Sequence, residues 1–189
     1  MRLNPLVLLL LFAASSQARI GETSLQFVDR YGGPKDTSST KISDKHFPLV
    51  EGAIHHTYEY QGWKIRAAFL QLDGPAVRMD FQKLSGAASG VTIKDYELEA
   101  IMTANTPAGM TWKHLLYDNP DSPNGPLGKL GEAYFANAMG QKMWQRTDGA
   151  ILWLRSQLTV RLELPVAHQH EAQLKIRKDQ KARASVPKF

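Results

Sequence analysis

Apolar and polar residues change period several times along the chain, and each change marks an element. An unbroken apolar run, residues 6–14, follows Met1-Arg2. Residues 23–31 have helical spacing, with Leu25 and Val28, joined by Phe27, on one side and Asp29 and Arg30 on the other. Thr23 is placed to cap that helix and Gly32-Gly33-Pro34 to end it. Residues 35–46, rich in Ser, Thr, Asp and Lys, read as a loop. The period then becomes two. Tyr58 and Tyr60 alternate with Glu59 and Gln61; Trp63, Ile65, Ala67 and Phe69 alternate with Lys64 and Arg66; Val77, Met79 and Phe81 alternate with Arg78, Asp80 and Gln82. Turn residues at Gln61-Gly62 and at 72–75 separate these runs, which predicts three half-buried antiparallel strands.

The second half repeats this grammar. Residues 85–90, all Gly, Ala or Ser, read as a linker, and Thr92 is placed to cap a helix over 93–104 with Tyr96 and Ile101, and Leu98 beside them, facing inward. Residues 118–125 form an irregular loop around Pro120 and Pro123, and a short helical turn is expected near 131–139. Strand signals resume at 143–146, 150–154 and 157–164, with a turn at Thr147-Asp148-Gly149. The prediction is an α+β fold: two similar helix-plus-antiparallel-meander modules, residues 19–84 and 85–167, packed as one small domain with a basic tail over 168–189.

The opening changes the picture of where the protein goes. A basic start, a short apolar run and Ser15-Ser16-Gln17-Ala18 make a secretory signal pattern over residues 1–18. The run is less than half the roughly 20 residues a span needs, and no later stretch is long and apolar enough either, so an exported, periplasmic or secreted product without a transmembrane segment is expected. The roughly 170 residues that follow suffice for one ordinary domain and exclude a large multidomain enzyme. With no cysteine there is no disulfide framework and no thiolate nucleophile. Of the net charge of +5, Arg2 supplies one and the tail the other four, since Lys175, Arg177, Lys178, Lys181, Arg183 and Lys188 face only Glu171 and Asp179; the body from Arg19 to Ala167 is neutral. The tail reads as a solvated, frayed terminus, and the lack of interleaved aromatics argues against nucleic acid as a partner.

Candidate chemistry is sparse. The chain has no Gly-x-Ser-x-Gly elbow, His-Glu-x-x-His pair, phosphate loop or dinucleotide fingerprint, so no catalytic residue and no cofactor is assigned. His168-x-His170 puts two imidazoles on one side of an extended segment but lacks a third ligand, and Asp118, Asp121 and Asn124 lack the spacing of a calcium hand; no metal is expected. Adjacent His55 and His56 point to opposite faces of a strand and read as ordinary surface and strand residues.

Arg19-Ile20-Gly21-Glu22-Thr23, the helix ending Tyr31-Gly32-Gly33-Pro34, and Trp63-Lys64-Ile65-Arg66-Ala67-Ala68-Phe69 resemble the opening of uncharacterised secreted bacterial proteins. More distantly, the helix with its Gly-Pro stop followed by strands is similar to outer-membrane lipoproteins of the SmpA/OmlA type, and the tandem arrangement resembles the β-lactamase inhibitor protein. The lipoproteins' anchoring cysteine is absent here. The resemblance implies an exported protein-binding scaffold and transfers no functional residue. Binding by a sheet face is therefore the expected function, with another envelope or secreted protein as partner. Tyr58, Tyr60, Trp63 and Trp153 would supply contact area, and Lys64, Arg66 and Arg78 the charged alternate positions. Trp153 stands out because both parities of 150–154 are apolar, so either it or Leu152 belongs to an interface. Inhibition of a secreted hydrolase by the 118–125 loop is the alternative, and an enzyme whose groups converge without a local motif is the third.

Overall fold

The structure, a computed structural model, describes residues 19–39, 49–84, 92–115 and 142–185. Thr23 starts the first helix, α1 (Ser24–Tyr31), through a capping box: its hydroxyl accepts from the Gln26 N–H, and the Gln26 side chain accepts from the Thr23 N–H at 2.8 Å. The inward stripe is Ser24, Phe27 and Tyr31, while Leu25 and Val28 are exposed. This differs from the expected face. In a two-turn helix the aromatic pair decides the orientation, since Phe27 stacks against Tyr31, Tyr58 and Phe69 with ring centres 5.5–5.7 Å apart.

The strands are β1 (Asp36–Ser39), β2 (Ile54–Tyr60), β3 (Trp63–Phe69), β4 (Ala76–Lys83), β5 (Trp112–His114), β6 (Met143–Arg146), β7 (Ile151–Ser156) and β8 (Thr159–Glu163). They form one antiparallel sheet in the order β1-β2-β3-β4-β8-β7-β6-β5, so the fold is α+β. Each half lays down its four strands as a meander, and the two last strands pair with each other at the centre. Two strands escaped the pattern reading: β1 lies in the expected loop, and β5 is too short to show a period. The β2–β3 hairpin turns on Gln61-Gly62, both at positive φ (47° and 82°), which is the geometry that matches strand twist and favours glycine at the second position.

The second helix, α2 (Asp95–Ala104), starts two residues later than Thr92 would place it. Lys94 is the N-cap, and Glu97 reaches back to the Lys94 N–H while also binding Lys83 Nζ at 2.7 Å. Leu98 and Ile101 are buried, whereas Tyr96 is exposed, contrary to the expected inward position. Positions 98, 101 and 102 share one stripe at helical spacing, and 96 lies off it.

Both helices cover the same side of the sheet. Ladder rows running Tyr58, Ile65, Phe81, Val160 and His56, Ala67, Met79, Leu162, Leu152 meet Phe27, Leu98 and Ile101 in one continuous core. Buried Asn105 ties the segment before α1 to α2, accepting from the Ile20 N–H and donating to Ile101 O, each at 2.8 Å.

The third helix, α3 (Pro165–Ala184), lies on the opposite side. The expected tail boundary at 168 falls inside it, and its start is no frayed terminus: Ala167 is buried in a small cluster with Leu49, Val50, Ala53, Ala68 and Val77. Proline at the first helical position, where an N–H would have no partner, sets its beginning. The helix runs across the turn at Gly52, whose φ is +78°. A Cβ there would sit 3.2 Å from His170 Nε2 and 3.3 Å from Leu174 Cδ1. Gly52→Ala is expected to cost about 1–2 kcal/mol from the left-handed backbone alone. Thermal denaturation should show the lowered midpoint, and an unchanged midpoint would contradict the strain expected of a side chain at this turn.

No helix among the described residues is long and apolar enough to cross a membrane.

Candidate functional site: the charged sheet face

Strand alternation that sends the core residues to one side sends a row of polar residues to the other. Register aligns Thr57, Arg66, Asp80, Arg161 and Trp153 across β2, β3, β4, β8 and β7. Asp80, 1% exposed, is the centre of this row. Arg161 holds it with two bonds, Nε to Oδ1 at 2.6 Å and Nη2 to Oδ2 at 2.8 Å, and Arg66 Nη2 donates to Oδ2 at 2.9 Å. Arg155 Nη1 lies 3.9 Å from the same oxygen. Arg155 sits at the irregularity in the β7–β8 ladder between Leu154 and Ser156, the kind of bulge that re-aims a side chain. The Arg161 guanidinium also lies over the Trp153 ring, 6.0 Å from its centre.

Electrostatics follow from this crowding. Burial pushes the Asp80 carboxyl up, but its bond to Arg161 and the charges of Arg161, Arg66 and Arg155 outweigh that and hold it below the ordinary aspartate value. Arg155 is pushed down to about 10, first by burial and then by the positive charge of Arg161.

A second cluster lies one row along, where Arg78 faces Glu163 in the β4–β8 register. Arg78 Nε is 2.6 Å from Glu163 Oε2, and its Nη1 and Nη2 bind Glu171 of α3 at 2.8 and 3.0 Å; Nη1 also donates to Leu49 O. His168 Nε2 is 2.6 Å from the other Glu163 oxygen. Burial works against the charged Arg78, yet Glu163 and Glu171 more than compensate and raise its value above that of a free arginine. This cluster pins the start of α3 to the sheet.

The sequence-predicted binding residues divide between the two faces. Tyr58 is fully buried on the helix side, its hydroxyl 3.1 Å from His56 Nδ1, and burial raises its pKa to about 12. Tyr60 packs on Tyr31 with centres 5.3 Å apart, and Trp63 lies half-buried against the core. Neither Tyr58 nor Trp63 belongs with the charged row. Lys64, Arg66, Arg78 and Trp153 lie on the charged side, with Arg78 buried in its ion cluster and Trp153 half-buried. Leu152 points into the core, so Trp153 is the member of that pair on the charged side. His55 and His56 do take opposite faces, but His56 is buried, not a surface residue. Both are held below the ordinary histidine value chiefly by burial.

Six residues of this face were not among the predicted binding residues: Asp80, Arg155, Arg161, Glu163, His168 and Glu171. Arg78-x-Asp80 and Arg161-x-Glu163 were visible as polar alternate positions. Only the β4–β8 pairing shows them to be complementary partners. His168 and His170 do not converge: the segment is helical, and His170 Nε2 meets Glu51 O at 2.9 Å. Among the described residues no group of three or more His, Asp or Glu is placed to hold a metal. The 118–125 loop, the 85–90 linker and the 131–139 turn lie outside the described residues.

Compared with protein-family models, curated proteins and solved structures, the chain finds no match.

Proposed function

We propose that this is an exported, non-enzymatic binding scaffold whose charged sheet face meets another envelope or secreted protein. The observation that carries the reading is the makeup of that face. Arginines and a tryptophan, the residue types that concentrate binding energy at protein interfaces, stand with Asp80 in one register row across four adjacent strands, β3, β4, β8 and β7. A hydrogen-bonded sheet holds such side chains in place before a partner arrives, which lowers the ordering cost of association. The signal pattern over residues 1–18 supports export.

Duplication of a helix-plus-meander module accounts for the topology. In each half, the segment entering the helix hydrogen-bonds to the hairpin between the third and fourth strands: the Gly21 N–H donates to Ala76 O at 3.0 Å, and the Ile93 N–H to Gln157 O at 2.8 Å.

The test is capture from envelope and secreted fractions with the chain from Arg19 onward, beside Trp153→Ala and the exposed α3 variant Ile176→Glu. The wild type and Ile176→Glu are expected to retain one common partner, and Trp153→Ala to lose it at least about tenfold, the scale of a hot-spot truncation. Equal retention by Trp153→Ala would reject the sheet face as the binding surface.

A further inference from the structure

Beyond Leu174, α3 leaves the body of the protein. Every residue from Lys175 to Ser185 is exposed, and the last tie to the body is Lys178, whose Nζ donates to Glu51 Oε1. Over this stretch Lys175, Arg177, Lys178, Lys181 and Arg183 stand against Asp179 alone, whereas the body from Arg19 to Ala167 is neutral. Among the described residues, no carboxylate lies within ion-pair distance of Lys175, Arg177, Lys181 or Arg183. Helical spacing gathers Arg177, Lys178 and Lys181 on one side, Lys181 three positions from Lys178 and four from Arg177, where like charges oppose the helix. The field at the helix end explains Lys181 and Arg183 in the last turn. It does not reach Lys175 and Arg177. Their crowding is relieved by negative charge brought from outside the chain.

We propose that the exposed half of α3 is a peripheral docking arm for an anionic lipid surface. Charge complementarity selects this occupant. A plane of phosphate-bearing headgroups takes cations from any side of a helix without a matching shape, and each Lys or Arg brought near it adds to binding. The long stems of these side chains let their heads reach the phosphates. A protein interface relies instead on aromatic or apolar anchors at its centre, and between residues 175 and 185 Ile176 is the one large apolar side chain. The same scarcity fixes the mode of contact. Without an apolar stripe the arm lies against the headgroups and does not sink among the acyl chains, so binding is reversible and weakened by salt. At its other end the helix is fastened by buried Ala167 and by the two bonds from Arg78 to Glu171, so the arm carries the neutral body with it.

The experiment is co-sedimentation with vesicles of phosphatidylcholine alone and of phosphatidylcholine with about one-third phosphatidylglycerol. It uses the full chain and the chain from Arg19 onward, which lacks the apolar run of residues 6–14 and holds every described residue. The wild type is compared with the triple variant Lys175→Gln, Arg177→Gln, Lys181→Gln, which leaves Lys178 on Glu51, and with the control Lys35→Gln, Lys94→Gln, Lys113→Gln, which removes the same charge from exposed body positions. Glutamine forms helix about as well as lysine and arginine, and circular dichroism checks that α3 persists. The wild type from Arg19 onward is expected on the anionic vesicles and not on the neutral ones, with release at about 0.5 M sodium chloride, and the full chain should show the same difference between the two vesicles. The α3 variant should bind about a hundredfold more weakly, roughly fivefold per cation, and the control less than about tenfold more weakly. Trp153→Ala should bind vesicles like the wild type, so this result and the sheet-face reading fail separately. The proposal is overturned if the wild type shows no preference for anionic vesicles, a result that needs no variant to fold, or if the control loses as much as the α3 variant, which makes the effect one of net charge. Retention on immobilised polyglutamate without binding to anionic vesicles also overturns it, and assigns the arm to an acidic protein.

Discussion

Replacing Asp80 with alanine is expected to lower the free energy of unfolding by about 3–5 kcal/mol, the range for removing one partner of a buried ion pair. The carboxylate is almost wholly buried and accepts three hydrogen bonds from Arg161 and Arg66. Its loss removes the carboxylate that the guanidiniums of Arg66, Arg155 and Arg161 share. Urea titration of the wild type and the variant checks this, and a difference below about 1 kcal/mol would be that of a surface pair and would contradict it. A pH dependence follows. Because the folded carboxyl lies below its unfolded value, the stability it contributes is complete above about pH 4 and is lost as pH falls through the folded value. His55 and His56, also lowered on folding, lose their contribution earlier, as pH falls from about 6.5. Stability of the wild type should therefore decline in two stages on acidification. Asp80→Asn should retain the histidine stage and reduce the second, part of which comes from Glu97 and Asp148, likewise lowered in the folded state.

Arg78→Met is expected to cost a similar 3–5 kcal/mol or so, for a different reason. It leaves Glu163, 1% exposed, with His168 as its one charged partner among the described residues, and it severs the two bonds to Glu171 that fasten α3. Amide exchange should therefore accelerate first in the opening turns of α3, ahead of the core strands. Adding Glu163→Leu to Arg78→Met should recover part of the loss, since an apolar pair in that space carries no unbalanced charge. A double variant whose cost is the sum of the single ones would refute the coupling. Normal protection in α3 would show that Ala167 and the apolar contacts beneath the helix hold it without the ion cluster.

Both predictions concern residues that a one-dimensional pattern places at the surface. Arg78 and Asp80 alternate with Val77, Met79 and Phe81, and alternation of that kind describes a half-buried strand. In the sheet, β4 lies at the centre between β3 and β8. Its polar side is covered by the arginines, by Glu163 and by the start of α3, so it is buried on both faces. The pattern was sound in its period and incomplete about the second face, because period reports alternation and says nothing about what covers the polar side.

The aromatic residues make the same point. Tyr58, Tyr60, Trp63 and Trp153 all stand in strands and share a chemistry. Parity and register send Tyr58 into the core, Tyr60 and Trp63 to the helix-covered side and Trp153 to the charged side. A single aromatic binding patch of all four is geometrically impossible on one sheet.

What the sequence by itself determined is local: the capped start and glycine stop of α1, the Gln61-Gly62 hairpin, the period-two strands, and the α+β class that a helix followed by a meander implies. Each depends on residues within a few positions of one another, where backbone preference and side-chain period act directly. The tertiary structure alone decided the rest. The pairing of β4 with β8 brings Asp80 to Arg161 and Arg78 to Glu163 across some eighty residues, and the docking of the start of α3 brings His168 and Glu171 to that face while the basic residues from Lys175 to Arg183 stay exposed. Complementary charges far apart in the chain carry no mark of their partnership. Only the register of a closed ladder and the exclusion of water beneath a packed helix make them a site.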